Sequence, residues 1–199
     1  MRELTLPEEI RNSAEREEVL RVYIDNGMLS ISMANDFACR YEQDIETTWA
    51  MLLSDIALHV IDAISLETDD DKKKVKEKVM ERLDEVRASD RNAQSGNTTI
   101  EKTAPSLTIA PTNEQGEVVE IVRIILMKET IHVAVYVGMW LENGNEEKVW
   151  GDVLYDLSSI IAYNLPGVFG KKKRKKKILD ILLDFIENPT TDSYSGHYY

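Results

Sequence analysis

Ser54, Asp55 and His59 have the side-chain types of a nucleophile and its base. Asp55 and His59 stand four apart, the spacing at which helical side chains meet. A catalytic serine must also project toward its base, whereas adjacent helical positions such as Ser54 and Asp55 point about 100° apart. The trio therefore reads as a satisfied surface or interface histidine with its neighbours. His132, on a strand, and His197, in the tail, bring no partner at ligand spacing. Asp69-Asp70-Asp71 is contiguous, so its side chains diverge, and it lacks the alternation and the distal Glu of a calcium loop. It reads as the amino-terminal cap of a following helix. Gly138, Gly144 and Gly151 lack the spacing of either glycine fingerprint for phosphate. The sequence leads us to expect no catalytic residue, no metal, no cofactor and no enzymatic activity.

Two further sets of charges invite chemistry. Arg21 and Arg123 sit mid-strand among apolar neighbours, and Asp55 and Asp156 lie on the flank of a helix, off its core stripe. A half-buried strand charge needs a partner, so Arg21 with Asp55 and Arg123 with Asp156 are expected to form structural ion pairs. The sharper alternative is an anion or peptide-carboxylate site built on the arginine. The second set is Lys171, Lys172, Lys173, Arg174, Lys175, Lys176 and Lys177, at the start of a predicted helix, with Lys72-Lys73-Lys74 at the matching place earlier in the chain. Cations in a first turn oppose the helix macrodipole, so their placement asks for a reason. One reason is anion recruitment at a helix start. The other is a solvated helix end.

The elements that position these residues occur twice. Val19-Leu20-Arg21-Val22 aligns with Ile121-Val122-Arg123-Ile124 at an offset of 102, and Leu29, Ile31 and Met33 then fall on Ile131, Val133 and Val135. Trp49 and Asp55 land on Trp150 and Asp156 at an offset of 101. The lysine runs, with Val79, Leu83 and Val86 against Ile178, Leu182 and Phe185, follow at an offset of 99. Such self-similarity is the mark of a tandem duplication. In each copy, alternating residues flank a turn: Glu18 to Ile24 and Met28 to Ala34 around Asp25-Asn26-Gly27, then Val118 to Met127 and Thr130 to Val137 around Lys128-Glu129. Two helices follow each hairpin, the first carrying Trp49 to Ile64 or Trp150 to Leu165, the second carrying Val75 to Val86 or Ile178 to Ile186. Leu4 to Leu6 and Leu107 to Ile109 suggest an extra short strand in each copy. The expected fold is α+β: two tandem ββαα repeats with pseudo-twofold symmetry, the hairpins in a sheet covered on one face by helices. The boundaries are 1–88 for the first repeat, 89–105 for an exposed linker, 106–188 for the second repeat and 189–199 for a flexible tail.

Composition narrows the setting. The formal charge is -12, and without the seven cations of 171–177 the balance is 17 basic against 36 acidic residues. An acidic body with one basic spot argues against a general nucleic-acid binder. The single cysteine, Cys39, excludes an intrachain disulfide and fits a reducing compartment. No apolar run is expected to reach the ~20 residues of a bilayer span, and the charged amino terminus is no signal peptide, so a cytoplasmic protein without membrane contact is expected.

Glu-Val-Leu-Arg-Val-Tyr-Ile, Gly-Met-Leu-Ser-Ile-Ser and Trp-Ala-Met-Leu-Leu-Ser-Asp-Ile-Ala-Leu-His-Val resemble a group of short bacterial proteins known as domain of unknown function number five thousand and seventy-six. The resemblance covers residues 18 to 64 well. It extends more loosely to the second copy, where Val-Trp-Gly-Asp-Val-Leu-Tyr-Asp-Leu keeps the helix signature. It implies a bacterial source and carries no activity. The expected function is a non-catalytic protein-interaction or adaptor module built as a fused pseudo-dimer, monomeric or further paired as a homodimer, with an unknown protein partner. The alternative is polyanion or nucleic-acid binding through residues 171–177.

Overall fold

The computed structural model describes residues 2–40, 44–93, 95–102, 106–107, 118–128, 130–166 and 170–189. The fold is α+β, and its described residues divide into two compact units that separate strands from long helices. The sheet unit draws on residues 2–40 and 95–136, and the helical unit on 44–93 and 137–189, so each unit takes material from both halves of the chain.

In the sheet unit a short helix, α1 (Glu8–Arg11), precedes the hairpin β1 (Arg16–Asp25) and β2 (Met28–Ala34). Asn26 and Gly27 join the two strands with φ of 51° and 78°, the left-handed pair that a two-residue hairpin requires. After β3 (Ser95–Glu101), the second hairpin is β4 (Val118–Met127) and β5 (Thr130–Val135). The strand order is β3-β2-β1-β4-β5, with all pairs antiparallel except β2 with β3. At the centre, Arg21 stands opposite Arg123, with Leu20 opposite Ile124 and Val22 opposite Val122. Both central strands are buried almost end to end, which explains their nearly continuous apolar runs.

β3 corrects the expected 89–105 linker. Its Ser-Gly-Asn-Thr-Thr reads as exposed coil, but the segment lies parallel along β2 from Leu29 to Ala34. Gly96 permits the approach, since a Cβ there would come within 2.7 Å of Ser30 Oγ. Leu4 to Leu6 is not a strand: an isolated bridge between Arg2 and Val119 precedes it, and Leu4, Leu6 and Ile10 pack with Ile125 and Ala134. Residues 108 and 109, and the tail from 190, lie outside the described residues.

The helical unit holds α2 (Ile45–Thr68), α3 (Lys72–Ser89), α4 (Glu146–Asn164) and α5 (Lys171–Glu187). Asp44 caps α2 by accepting from Thr47 N at 3.1 Å, and Asp71 caps α3 by accepting from Lys73 N and Lys74 N, as the Asp69-Asp70-Asp71 reading expected. The main packing pairs are α3 with α4 and α2 with α5. Trp49 and Trp150 are wholly buried at the heart of the first helix of each half. Gly151 lets α4 close on α3, where an added Cβ would lie 2.8 Å from Arg82 Cβ and 3.0 Å from the Val79 carbonyl. The 24-residue α2 also corrects the expectation about apolar runs: an 18-residue stretch has a mean hydropathy of 1.5. By length and composition it could cross a bilayer, yet 67% of that stretch is buried inside the protein, as in a core helix.

Candidate functional site

The strand arginines do not take the carboxylates expected for them. Arg21 Nε donates to Glu120 Oε1 at 2.8 Å, and Arg123 Nε donates to the same oxygen at 2.8 Å. Glu3 Oε2 lies 3.4 Å from Arg21 Nη2 and 3.2 Å from Arg123 Nη2, with Glu18 at the edge of ion-pair range of both. Glu120 also accepts from Leu4 N at 2.8 Å, and Glu18 from Leu107 N at 2.9 Å. The pairings Arg21 with Asp55 and Arg123 with Asp156 are therefore corrected. Opposite register on β1 and β4 brings the two guanidiniums together, and Glu120, three residues before Arg123 on β4, reaches both of them first. Burial opposes both cations, but the Glu120 contacts outweigh it and hold both pKa values above the ordinary arginine value. Burial also pushes up the pKa of the nearby Tyr23 hydroxyl. With two arginines against three glutamates, the cluster offers an incoming anion little attraction.

A sequence signal for this cluster existed. The offset of 102 that joins Arg21 to Arg123 also joins Glu18 to Glu120, so Glu-x-x-Arg occurs twice.

Asp55 and Asp156 have different surroundings. Asp156, buried on α4, receives Arg91 Nη1 at 2.7 Å and Nη2 at 3.2 Å, and Arg91 also reaches Asp152 at 3.1 Å. Arg91 lies just beyond α3 in a polar stretch, which hid it from sequence reasoning. Asp55 is half-buried on α2 and no cation among the described residues approaches it, so desolvation alone raises its pKa to about 6. The neighbouring trio is bonded to its own helix. Ser54 donates to the Met51 carbonyl at 2.6 Å, and His59 Nδ1 meets the Asp55 carbonyl at 2.6 Å, so the hydroxyl and that ring nitrogen are turned onto the helix backbone. His132 lies on β5, where burial lowers its pKa against a weaker pull from Glu9. Among the described residues, no group of three or more His, Cys, Asp or Glu side chains is placed to hold a metal ion.

The basic run is largely spent on the protein itself. Arg174 is buried: its Nε donates to Glu46 Oε1 at 2.9 Å, and its Nη groups donate to the carbonyls of Ala162, Leu165 and Pro166. It thus closes the carboxyl end of α4, where orphan carbonyls carry the negative end of the dipole. Lys175, also buried, donates to Asp90 and, at 3.0 Å, to Tyr155 Oη. Burial opposes its charge, but these two partners outweigh it and raise its pKa. Asp90 is the carboxyl cap of α3, so here too a cation near the start of α5 serves the end of another helix. Lys177 reaches Asp44 at 2.6 Å and Glu46 at 3.8 Å, Lys172 lies 3.6 Å from Asp90, and Lys171 lies over the Tyr163 ring. Lys173 and Lys176 are exposed. The run bounds a groove of about 590 Å³ between α3 and α5, lined by Asp84, Arg87, Asp90, Lys172, Lys175 and Lys176. Its charges are mixed, and the cationic site expected of 171–177 as a unit loses Arg174 and Lys175 to burial.

The described residues thus form an α+β fold with buried charge ties inside each of its two units. Residues 3–90 match the family model described as Domain of unknown function (DUF5076). The match spans both hairpin strands and both helices of the first half, well beyond the 18–64 segment that carries the resemblance in sequence. No curated protein and no solved structure matches the chain.

Proposed function

We propose that the chain is a non-catalytic protein-interaction module, built as a fused pseudo-dimer of two ββαα repeats about a pseudo-twofold axis. The observation that carries this reading is the crosswise use of charge. Glu120 of the second repeat binds Arg21 of the first and the Leu4 amide, while Glu18 of the first binds the Leu107 amide of the second. Lys78 reaches Glu147, and its counterpart Lys177 reaches Glu46. The register supports the same axis. Val22 pairs with Ile31 and Ile124 with Val133, each shifted by 102, and Arg21 faces its own counterpart Arg123. The preferred helix pairs, α3 with α4 and α2 with α5, exchange partners between the repeats in the same way. Groups that could do chemistry are thereby committed to holding two halves together, which leaves surface recognition as the work of the molecule.

Polyanion binding through 171–177 is the weaker reading, because Arg174 and Lys175 are buried and Lys172 and Lys177 face carboxylates. The two readings separate on capture from cell extract by the immobilised full chain, with and without nuclease. A discrete, stoichiometric protein retained after nuclease is the expected result. Loss of all retained material after nuclease, or its log-linear release by salt, would favour the polyanion.

A further inference from the structure

We propose that the groove between α3 and α5 is a ligand site, and that its occupant is a small organic anion, one negative group on an apolar body. Such a ligand differs in class from a polyanion, and the interaction-module reading does not depend on it. Both helices pack on α4 and barely touch each other, so a hollow bridged only by side chains runs between them. At about 590 Å³ it falls in the range of pockets that hold small molecules. A lone inorganic anion would leave most of that volume to water, so the size selects an organic body.

The lining follows from helical spacing. Lys172, Lys175, Lys176 and Leu179 recur at i, i+3, i+4 and i+7 on one face of α5, and Asp84, Arg87 and Ala88 do the same over one turn of α3. Most of the lined surface is apolar: Leu179, 1% exposed, and Ala88 supply part of it, and the long stems of the basic side chains supply more. The mixed charges do not cancel. Four cations, Arg87, Lys172, Lys175 and Lys176, meet three carboxylates, those of Asp84, Asp90 and Asp180. Arg87 is held by Asp180 and lies 3.6 Å from Asp84, while Lys175 donates to Asp90. The surplus therefore falls on Lys172, at 3.6 Å from the same Asp90, and on the exposed Lys176. In a chain of net charge -12 this is a local exception, and it suits a single negative charge. Lys172 and Lys176 stand four apart, so both ammonium groups serve one end of the groove, with Leu179 one turn further to carry the apolar body.

The probe is anilinonaphthalene sulfonate, an aromatic body with one sulfonate, titrated into the full chain and followed by its fluorescence. Saturable binding at one site per chain is expected, weakened by salt, with the neutral amine phenylnaphthylamine bound about tenfold more weakly or worse. Lys172→Gln with Lys176→Gln should weaken the sulfonate about tenfold while the melting temperature holds, because exposed charges contribute little to stability. The same change of net charge at Lys171 and Lys173, outside the groove lining, should leave binding within about twofold of the parent. Ala88→Trp, on an exposed position, should fill the groove and abolish binding. Equal affinity for the neutral amine, equal losses in the two double variants, or full binding by Ala88→Trp would each overturn the site. So would a dye signal that appears only as the chain unfolds.

Discussion

Asp156 and Asp55 occupy matching places on α4 and α2, and they live differently. Asp156 is buried and holds Arg91 in a two-pronged grip, whereas Asp55 is half-buried with no cation near it among the described residues and a pKa raised to about 6. The difference teaches that copying a carboxylate does not copy its electrostatics. The guanidinium that makes Asp156 affordable enters from the exit of α3, outside the repeat signature that Asp55 and Asp156 share. Glu120 stands at the far end of the same scale, with two guanidiniums and an amide converging on one wholly buried carboxylate.

The largest expected effect is therefore at Glu120. Glu120→Ala leaves Arg21 and Arg123 facing one another with only the half-exposed Glu3 and the more distant Glu18 as partners, and should destabilise by about 3 to 5 kcal/mol in urea titration, as breaking a buried ion pair from one side does. A loss below about 1 kcal/mol would mean that the remaining glutamates suffice. Next comes Arg91→Met, which takes the guanidinium from Asp156 and brings it toward the condition of Asp55. The expected cost is about 2 to 3 kcal/mol at neutral pH, reduced by acidification because protonation relieves the stranded carboxylate. A cost that stays flat between pH 7.5 and 5 would break the comparison.

Asp55→Asn should act in the opposite direction. Its folded pKa lies about 2 units above the unfolded value, so the native state holds the proton more tightly. The penalty is absent below about pH 4, grows as pH rises through 6 and is constant above it. Removing the charge should then stabilise by about 1 to 2 kcal/mol at pH 7.5, after allowance for partial solvent screening, and by nothing near pH 4. The smallest effect is expected for Lys172→Gln with Lys176→Gln, which should change stability by less than about 0.5 kcal/mol because both are solvated. Arg174→Gln, at two residues' distance from each, should instead cost several kcal/mol through its buried fork of bonds, on the order of breaking a buried pair.

The elements with strong local signals were legible. Alternation around Asn26-Gly27 marked the first hairpin, and apolar spacing around Trp49 and Trp150 marked the first helices. β3 was not legible, because Ser-Gly-Asn-Thr-Thr carries no apolar alternation and becomes a strand only through the edge of β2. The role of 171–177 was hidden for a related reason: Arg174 and Lys175 answer carbonyls and carboxylates between 8 and 128 residues away in sequence. Glu120 could have been found, since the repeat alignment needed only one more residue to expose Glu18 beside it. Charges mid-strand signalled that partners existed, while the identity of those partners depended on a register between strands a hundred residues apart.

Gly151 carries a consequence for how the chain keeps its own company. It follows Trp150, and at the matching place after Trp49 stands Ala50. On the duplicated reading, a second copy of the first half could try to stand in for the second half. Its Ala50 methyl would then fall where a Cβ lies 2.8 Å from Arg82, on atoms close to the α3 backbone that have little room to give. On that reading the missing methyl would bias assembly in one direction: a copy of the first half would sit against α3 less well than the second half does.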